Sequence, residues 1–180
     1  MADQLSAQDW IDQGVKTLAR RGFTALKADP LAKTMGVSRG SFYWHFADIG
    51  AFHAAILKHW REVAAEQIIA RVEAAEGEDR LAVLLRVTFG AKLSLERAVR
   101  SWAAHDATAR AALQAIDRRR LDYIEGLLKQ AAVAPDIART RAQILYWAFL
   151  GQALSDQALP ADRQQAVLDE LLAMAVRPGQ

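Results

Sequence analysis

The sequence predicts an all-α protein. Runs of Val, Ile and Thr in strict alternation, bounded by Asn-Gly or Asp-Gly turns, are nearly absent, so strand signals are lacking. Apolar residues instead recur at spacings of three and four in one segment after another. Only four prolines fall in 180 residues, and the strong helix formers Ala, Leu, Gln, Arg and Glu dominate.

The first helix is expected over residues 7–20. Ser6 precedes it and Asp9 stands three residues on, an arrangement related to the capping box. Ile11, Val15, Leu18 and Ala19 form its apolar stripe. Gly22 ends it, and Phe23 is expected to fold back onto that stripe. A short second helix spans 30–35, with Asp29 as N-cap and Pro30 as first helical residue; Leu31, Ala32 and Met35 face inward. Gly36 stops it, Val37 is a buried turn residue, and Ser38 caps a third helix over 39–46. Two short helices separated by a Gly-Val-Ser turn form a helix-turn-helix pattern.

The third helix resolves by angle. Phe42 and Phe46 are four apart and share a face that packs inward. The opposite face centres on Gly40 and Trp44, flanked by Ser41 and Tyr43. A glycine beside a large aromatic is a poor choice for a merely solvated face. It suits a surface that enters the major groove of double-stranded DNA. Gly40 and Ser41 permit close backbone approach, Trp44 can touch a thymine methyl or a sugar, and Tyr43 and His45 reach phosphate. Arg39, in the first turn, can reach a guanine or a phosphate, and Lys27 adds a nearby cation.

A long fourth helix is expected over 48–75 with Phe52, Ile56, Trp60 and Val63 inward, broken by Gly77, Glu78 and Asp79. Later helices are expected over 80–93, 95–104, 108–132, 136–155 and 161–176, separated by Pro135 and Pro160 and by Ser94 and Asp106. The stretch around Ile144, Trp147, Ala148 and Gly151 is apolar nearly all round, which implies cover on more than one side. The last helix offers Leu168, Leu171, Leu172 and Ala175 at matching spacing. Two such helices from each of two chains would make a four-helix dimer interface.

The stretch Gly22-Phe23-Thr24-Ala25-Leu26, and then residues 31–46 reading LAKTMGVSRGSFYWHF, resemble the N-terminal DNA-binding domain of the TetR family of one-component bacterial regulators. The likeness extends over roughly residues 5–60. It implies a helix-turn-helix domain over 1–47, followed by a helical ligand-binding and dimerisation domain over 48–180. It also implies a homodimer that binds a palindromic operator, most commonly as a repressor released by a small molecule. Three positions differ from the family's usual pattern. Ile49 stands where a phosphate-contacting Lys is frequent, Lys27 and Ala28 stand where a capping Thr or Ser is frequent, and Asp29 is acidic on a face that meets DNA. These differences favour, as the alternative, a dimeric helical ligand-binding or interaction protein with weakened DNA reading.

Composition bounds the remaining possibilities. There is no cysteine, so disulfides, Cys-ligated zinc and cysteine nucleophiles are excluded. His53 and His59 are six apart, on different helix faces, without carboxylates to complete a metal-ligand set. No nucleophile elbow, phosphate-cradling loop or HExxH motif occurs, so no catalytic residue, cofactor or metal is expected. The N-terminus lacks the pattern of a signal peptide and no apolar run could span a membrane; a soluble cytoplasmic protein is expected. The 7 Lys/Arg against 5 Asp/Glu in residues 1–60 hold the whole net charge of +2. Phe89, Trp102, His105 and Tyr123 are the candidates to line an effector pocket, set against the commoner role of aromatics as core.

Overall fold

The computed structural model describes residues 5–155 and 159–177. Among them the chain forms ten α-helices, a 3-10 turn and a π-helical segment, with no strand. Two compact units result. One joins the chain up to Ala64 with Leu93–Gln114, and the other joins Ala65–Lys92 with the chain from Ala115 onward.

In the first unit, α1 (Ala7–Arg21) opens with a complete capping box. The Ser6 hydroxyl accepts from the Asp9 amide, and the Asp9 carboxylate accepts from the Ser6 amide at 2.7 Å. The buried face differs from the expected stripe. It runs through Trp10, Gly14, Thr17 and Leu18, leaving Ile11, Val15 and Ala19 half-buried. Gly14 explains the rotation. A Cβ there would stand 2.6 Å from both Phe52 Cζ and Ile56 Cδ1, so the side chains of α4 (Ile49–Arg61) lie directly on the α1 backbone.

Phe23, in the 3-10 turn Phe23–Ala25, has an aromatic partner that the helix periodicity does not indicate. Its ring stacks on Trp102 of α7 (Ser94–Ala103), centroids 4.5 Å apart and planes 13° from parallel. His53 meets both rings edge-on, and its Nε2 hydrogen-bonds the Leu26 carbonyl at 3.0 Å. On α7 the buried Glu96 is paired with Arg100 one turn later, at 2.8 Å.

Helix α2 (Ala28–Met35) starts two residues before the expected point. Lys27 is the N-cap, because its carbonyl already accepts from the Leu31 amide at 3.2 Å, so Asp29 is a first-turn residue with its carboxylate free for another partner. Pro30 then falls among the first-turn amides that lack an intrahelical acceptor, where its missing N–H is harmless. The helix closes on Gly36, whose φ of 70° is left-handed, with the Val37 amide reaching the Ala32 carbonyl at 3.0 Å. Val37 is half-buried rather than buried.

Helix α3 is Arg39–Tyr43, shorter than expected. Ser38 is its N-cap through backbone geometry alone, without a side-chain bond. Trp44, His45 and Phe46 continue as a turn in which both the His45 and Phe46 amides return to the Phe42 carbonyl. The chain must break there because Asp48 is extended and caps α4, accepting from the Ala51 amide at 2.7 Å.

The expected single helix over 48–75 is helical but not uniform. After α4 comes the π segment Glu62–Glu66, then α5 (Gln67–Glu73). Burial records the inserted residue. From Trp60 the next buried position is Ala65, five on rather than four, and Val72 follows at a regular seven.

In the second unit, α6 (Arg80–Phe89) is N-capped by Asp79 and stops at Gly90, four residues short of the expected end. The other helices are α8 (Ala107–Gln130), which begins in the first unit, α9 (Pro135–Leu154) and α10 (Ala161–Val176). The core of the second unit joins Leu81, Leu84, Leu85 and Phe89 to Leu128, Ala142, Leu145 and Leu168. The early stop of α6 leaves carbonyls without intrahelical partners, and the Phe89 carbonyl takes two donors, Gln152 at 2.9 Å and Gln164 at 2.6 Å.

Candidate nucleic-acid interface

The rigid part of the site is its buried side. Phe42 is fully buried between Trp10 and Phe52, ring centroids 5.3 Å from each, and Phe46 packs on Phe52 at 5.0 Å. Burial of a phenylalanine of this kind contributes about 1.5–3 kcal/mol. Two such anchors hold α3 by one face and leave the other to solvent.

That outer face carries the remaining candidates. Trp44 is 83% exposed and Tyr43 is 45% exposed. Gly40, Arg39 and Lys27 are exposed, while Ser41 and His45 are half-buried. A Cβ at Gly40 would meet only Ser38 Oγ, at an ordinary 3.6 Å, so no packing within the chain requires glycine there. An exposed tryptophan beside an unforced glycine is costly in a face that meets only water and useful in one that meets a partner.

Arg39 is pre-positioned. Its Nε lies 3.2 Å from the Asp29 carboxylate, its Nη2 donates to the Tyr43 hydroxyl at 3.1 Å, and its guanidinium stands over the Tyr43 ring at 5.5 Å. The Tyr43 hydrogen bond first, and the Asp29 charge after it, hold the guanidinium proton even more firmly than usual. Sequence reasoning placed Asp29 as a cap and missed this pair. Two opposite charges in the first turns of consecutive short helices were the available signal. Ile49, the position that departs from the family's usual Lys, is partly exposed on the first turn of α4.

The effector candidates divide between the two units. Trp102 is buried in the first unit under Phe23, and His105 is exposed just beyond the end of α7. Phe89 and Tyr123 belong to the second unit. Phe89 is core, with its ring edge-on to Phe149. The Tyr123 hydroxyl donates to Glu73 at 2.8 Å; partial burial first, and this bond second, push its ionisation well above the usual tyrosine range.

The interface candidates also divide. On α9, Ile144 is 47% and Trp147 63% exposed, with Gly151 and Leu154 exposed on the same face and Ala148 half-buried beside them. On α10, Leu168 and Ala175 are buried in the second unit's own core, and Leu171 and Leu172 pack against it. These four therefore face inward, and Met174 and Val176 are the exposed large apolar residues of that helix. The cause is that α10 covers α6 with the very stripe that periodicity identifies. Among the described residues no helix is long and apolar enough to cross a membrane.

A short helix anchored by two phenylalanines, preceded by a glycine-closed turn and presenting an open aromatic face, has the form of the second helix of a helix-turn-helix domain. Residues 11–56 match the family model described as bacterial regulatory proteins, tetR family. The match covers the helix-turn-helix head, which is therefore similar to the DNA-binding domain of TetR-family transcriptional regulators. No curated protein sequence matches. Among solved structures, the chain is similar to reduced Escherichia coli NemR, with a TM-score of 0.71 at 20% identity, covering 94% of this chain and 93% of that one. A transcriptional regulator from Rhodococcus sp. Rha1 gives 0.74 at 19% identity, over 96% and 94% of the two chains. A regulator from Saccharomonospora viridis in complex with choline gives 0.73 at 14% identity, over 92% and 94%.

Proposed function

We propose that the chain works in the cytoplasm as a homodimeric, ligand-responsive repressor whose two α3 helices enter successive major grooves of a palindromic operator. The observation that carries this reading is the outward face of α3, where Trp44 stands almost fully in solvent beside Gly40, Tyr43 and Arg39. The apolar face of α9, with Ile144, Trp147 and Leu154 exposed, supports self-association. Dimerisation would set the two recognition helices roughly 34–36 Å apart, one turn of DNA.

The proposed effector is a small molecule that binds the DNA-released conformation more tightly than the DNA-bound one. A coupling of about 1–3 kcal/mol would change operator affinity ~5–150-fold. The regulator solved with choline, and the multidrug-binding protein EbrR solved with imidazole at a TM-score of 0.61 and 23% identity, support a small organic effector.

The test is fluorescence anisotropy against duplexes from the gene's own upstream region, titrated over salt. A negative slope of log K against log salt, about −0.9 for each phosphate neutralised, is expected. Arg39→Ala should weaken binding to the preferred duplex. Binding that ignores both salt and sequence would overturn the reading in favour of a helical interaction protein.

A further inference from the structure

The acidic Asp29 lies on the face that the proposed function turns toward a polyanion, where a carboxylate by itself repels. Its geometry supplies a reason. The carboxylate touches the Arg39 Nε at 3.2 Å, and Tyr43 takes one Nη2 donor at 3.1 Å. A guanidinium has five N–H donors in a planar fork. Tyr43 takes one of them as a hydrogen bond and Asp29 pairs by charge at the Nε side, which leaves the other Nη1 and Nη2 donors at the end that pairs with the O6 and N7 of guanine. The neighbouring carboxylate also offsets the cation, which weakens its pull toward any phosphate while leaving its directional donors in place.

We propose that Asp29 is a positioning residue that converts Arg39 from a phosphate contact into a reader of guanine. The inference rests on the DNA-binding reading above. Asp29 and Arg39 are 66% and 63% exposed, so solvent screens the pair, it adds little to folding, and its removal leaves the fold intact. A role in stability alone therefore does not account for it. Tyr43 holds the guanidinium from the other side, so the fork is fixed from two directions before DNA arrives.

The experiment uses the full chain. Duplexes are selected from a randomised pool with wild-type protein, and affinities for selected and unrelated duplexes are then measured over a salt series. Asp29→Asn should bind unrelated duplexes more tightly, with a salt slope steeper by roughly 0.9, the mark of one extra phosphate contact. Its preference for guanine over other bases at one position of each half-site should fall by about 5-fold or more. Asp29→Glu should restore both. Arg39→Lys, which keeps the charge and loses the fork, should lose the guanine preference whatever stands at 29. If wild type selects a site and Asp29→Asn changes neither slope nor preference, the positioning role is wrong and the DNA-binding reading stands. If wild type selects nothing and shows no salt dependence, the DNA-binding reading itself fails and this inference with it.

Discussion

Phe23 lies flat on Trp102 at 4.5 Å, and this contact ties the turn after α1 to a residue 79 positions further along the chain. The indole Nε1 of Trp102 is buried without a hydrogen-bond partner, so the ring is held there by packing rather than by polar contacts. A ring so enclosed acts as core of the head-containing unit, not as an open wall for a ligand. Trp102→Ala should cost about 3–5 kcal/mol of stability, read as a lowered midpoint in urea. An unchanged midpoint would show that the ring is dispensable to the fold.

Gly14 is demanded by packing. Alanine there places its methyl against Phe52, itself wedged among Phe42, Phe46 and His53. Gly14→Ala should destabilise by about 1–3 kcal/mol despite the better helix propensity of alanine. A rise in melting temperature would mean that α4 can retreat from α1 without loss.

Gly40 is the opposite case. Its Cβ position is open, so Gly40→Ala should stabilise α3 by about 0.5–1 kcal/mol. The same methyl would stand between the α3 backbone and any base edge, so affinity for selected DNA should fall. Stability and binding should therefore move in opposite directions, as measured by thermal melting and anisotropy on one preparation. Equal or improved DNA binding would remove the close-approach argument for this face.

Trp147 offers the cleanest probe of self-association. It is 63% exposed on the α9 face that also carries Ile144 and Gly151. Trp147→Asp should leave the protomer folded by circular dichroism while sedimentation shifts from dimer to monomer. A wild-type protein that sediments as a monomer at micromolar concentration would dispose of the proposed dimer directly.

The Ser6–Asp9 capping box carries a pH signature. The Ser6 side-chain hydrogen bond first, and its backbone hydrogen bond second, hold the Asp9 carboxyl below its usual range. A carboxyl depressed in the folded state adds stability above its unfolded value near 3.8, and that stability is lost as pH falls through the lower folded value. Ser6→Ala should lower the melting temperature at neutral pH, and the difference from wild type should shrink toward pH 2. A gap that stays constant with pH would mean that the box does not form.

The sequence by itself determined the helices and the two faces of α3. Helical spacing, caps such as Ser6 and stops such as Gly22 and Gly36 are local properties, legible wherever neighbours in sequence are neighbours in space. The two-phenylalanine anchor belonged to the same class, because four residues make one helical turn. Tertiary structure alone decided what depends on distant partners. It turned α1 onto Gly14 because Phe52 and Ile56 arrive there. It stacked Phe23 on Trp102. It buried Leu168 and Ala175 in the chain's own core, and it brought Asp29 to Arg39. Periodicity says which face of a helix is apolar; only packing says which partner covers it and which charge its first turn meets.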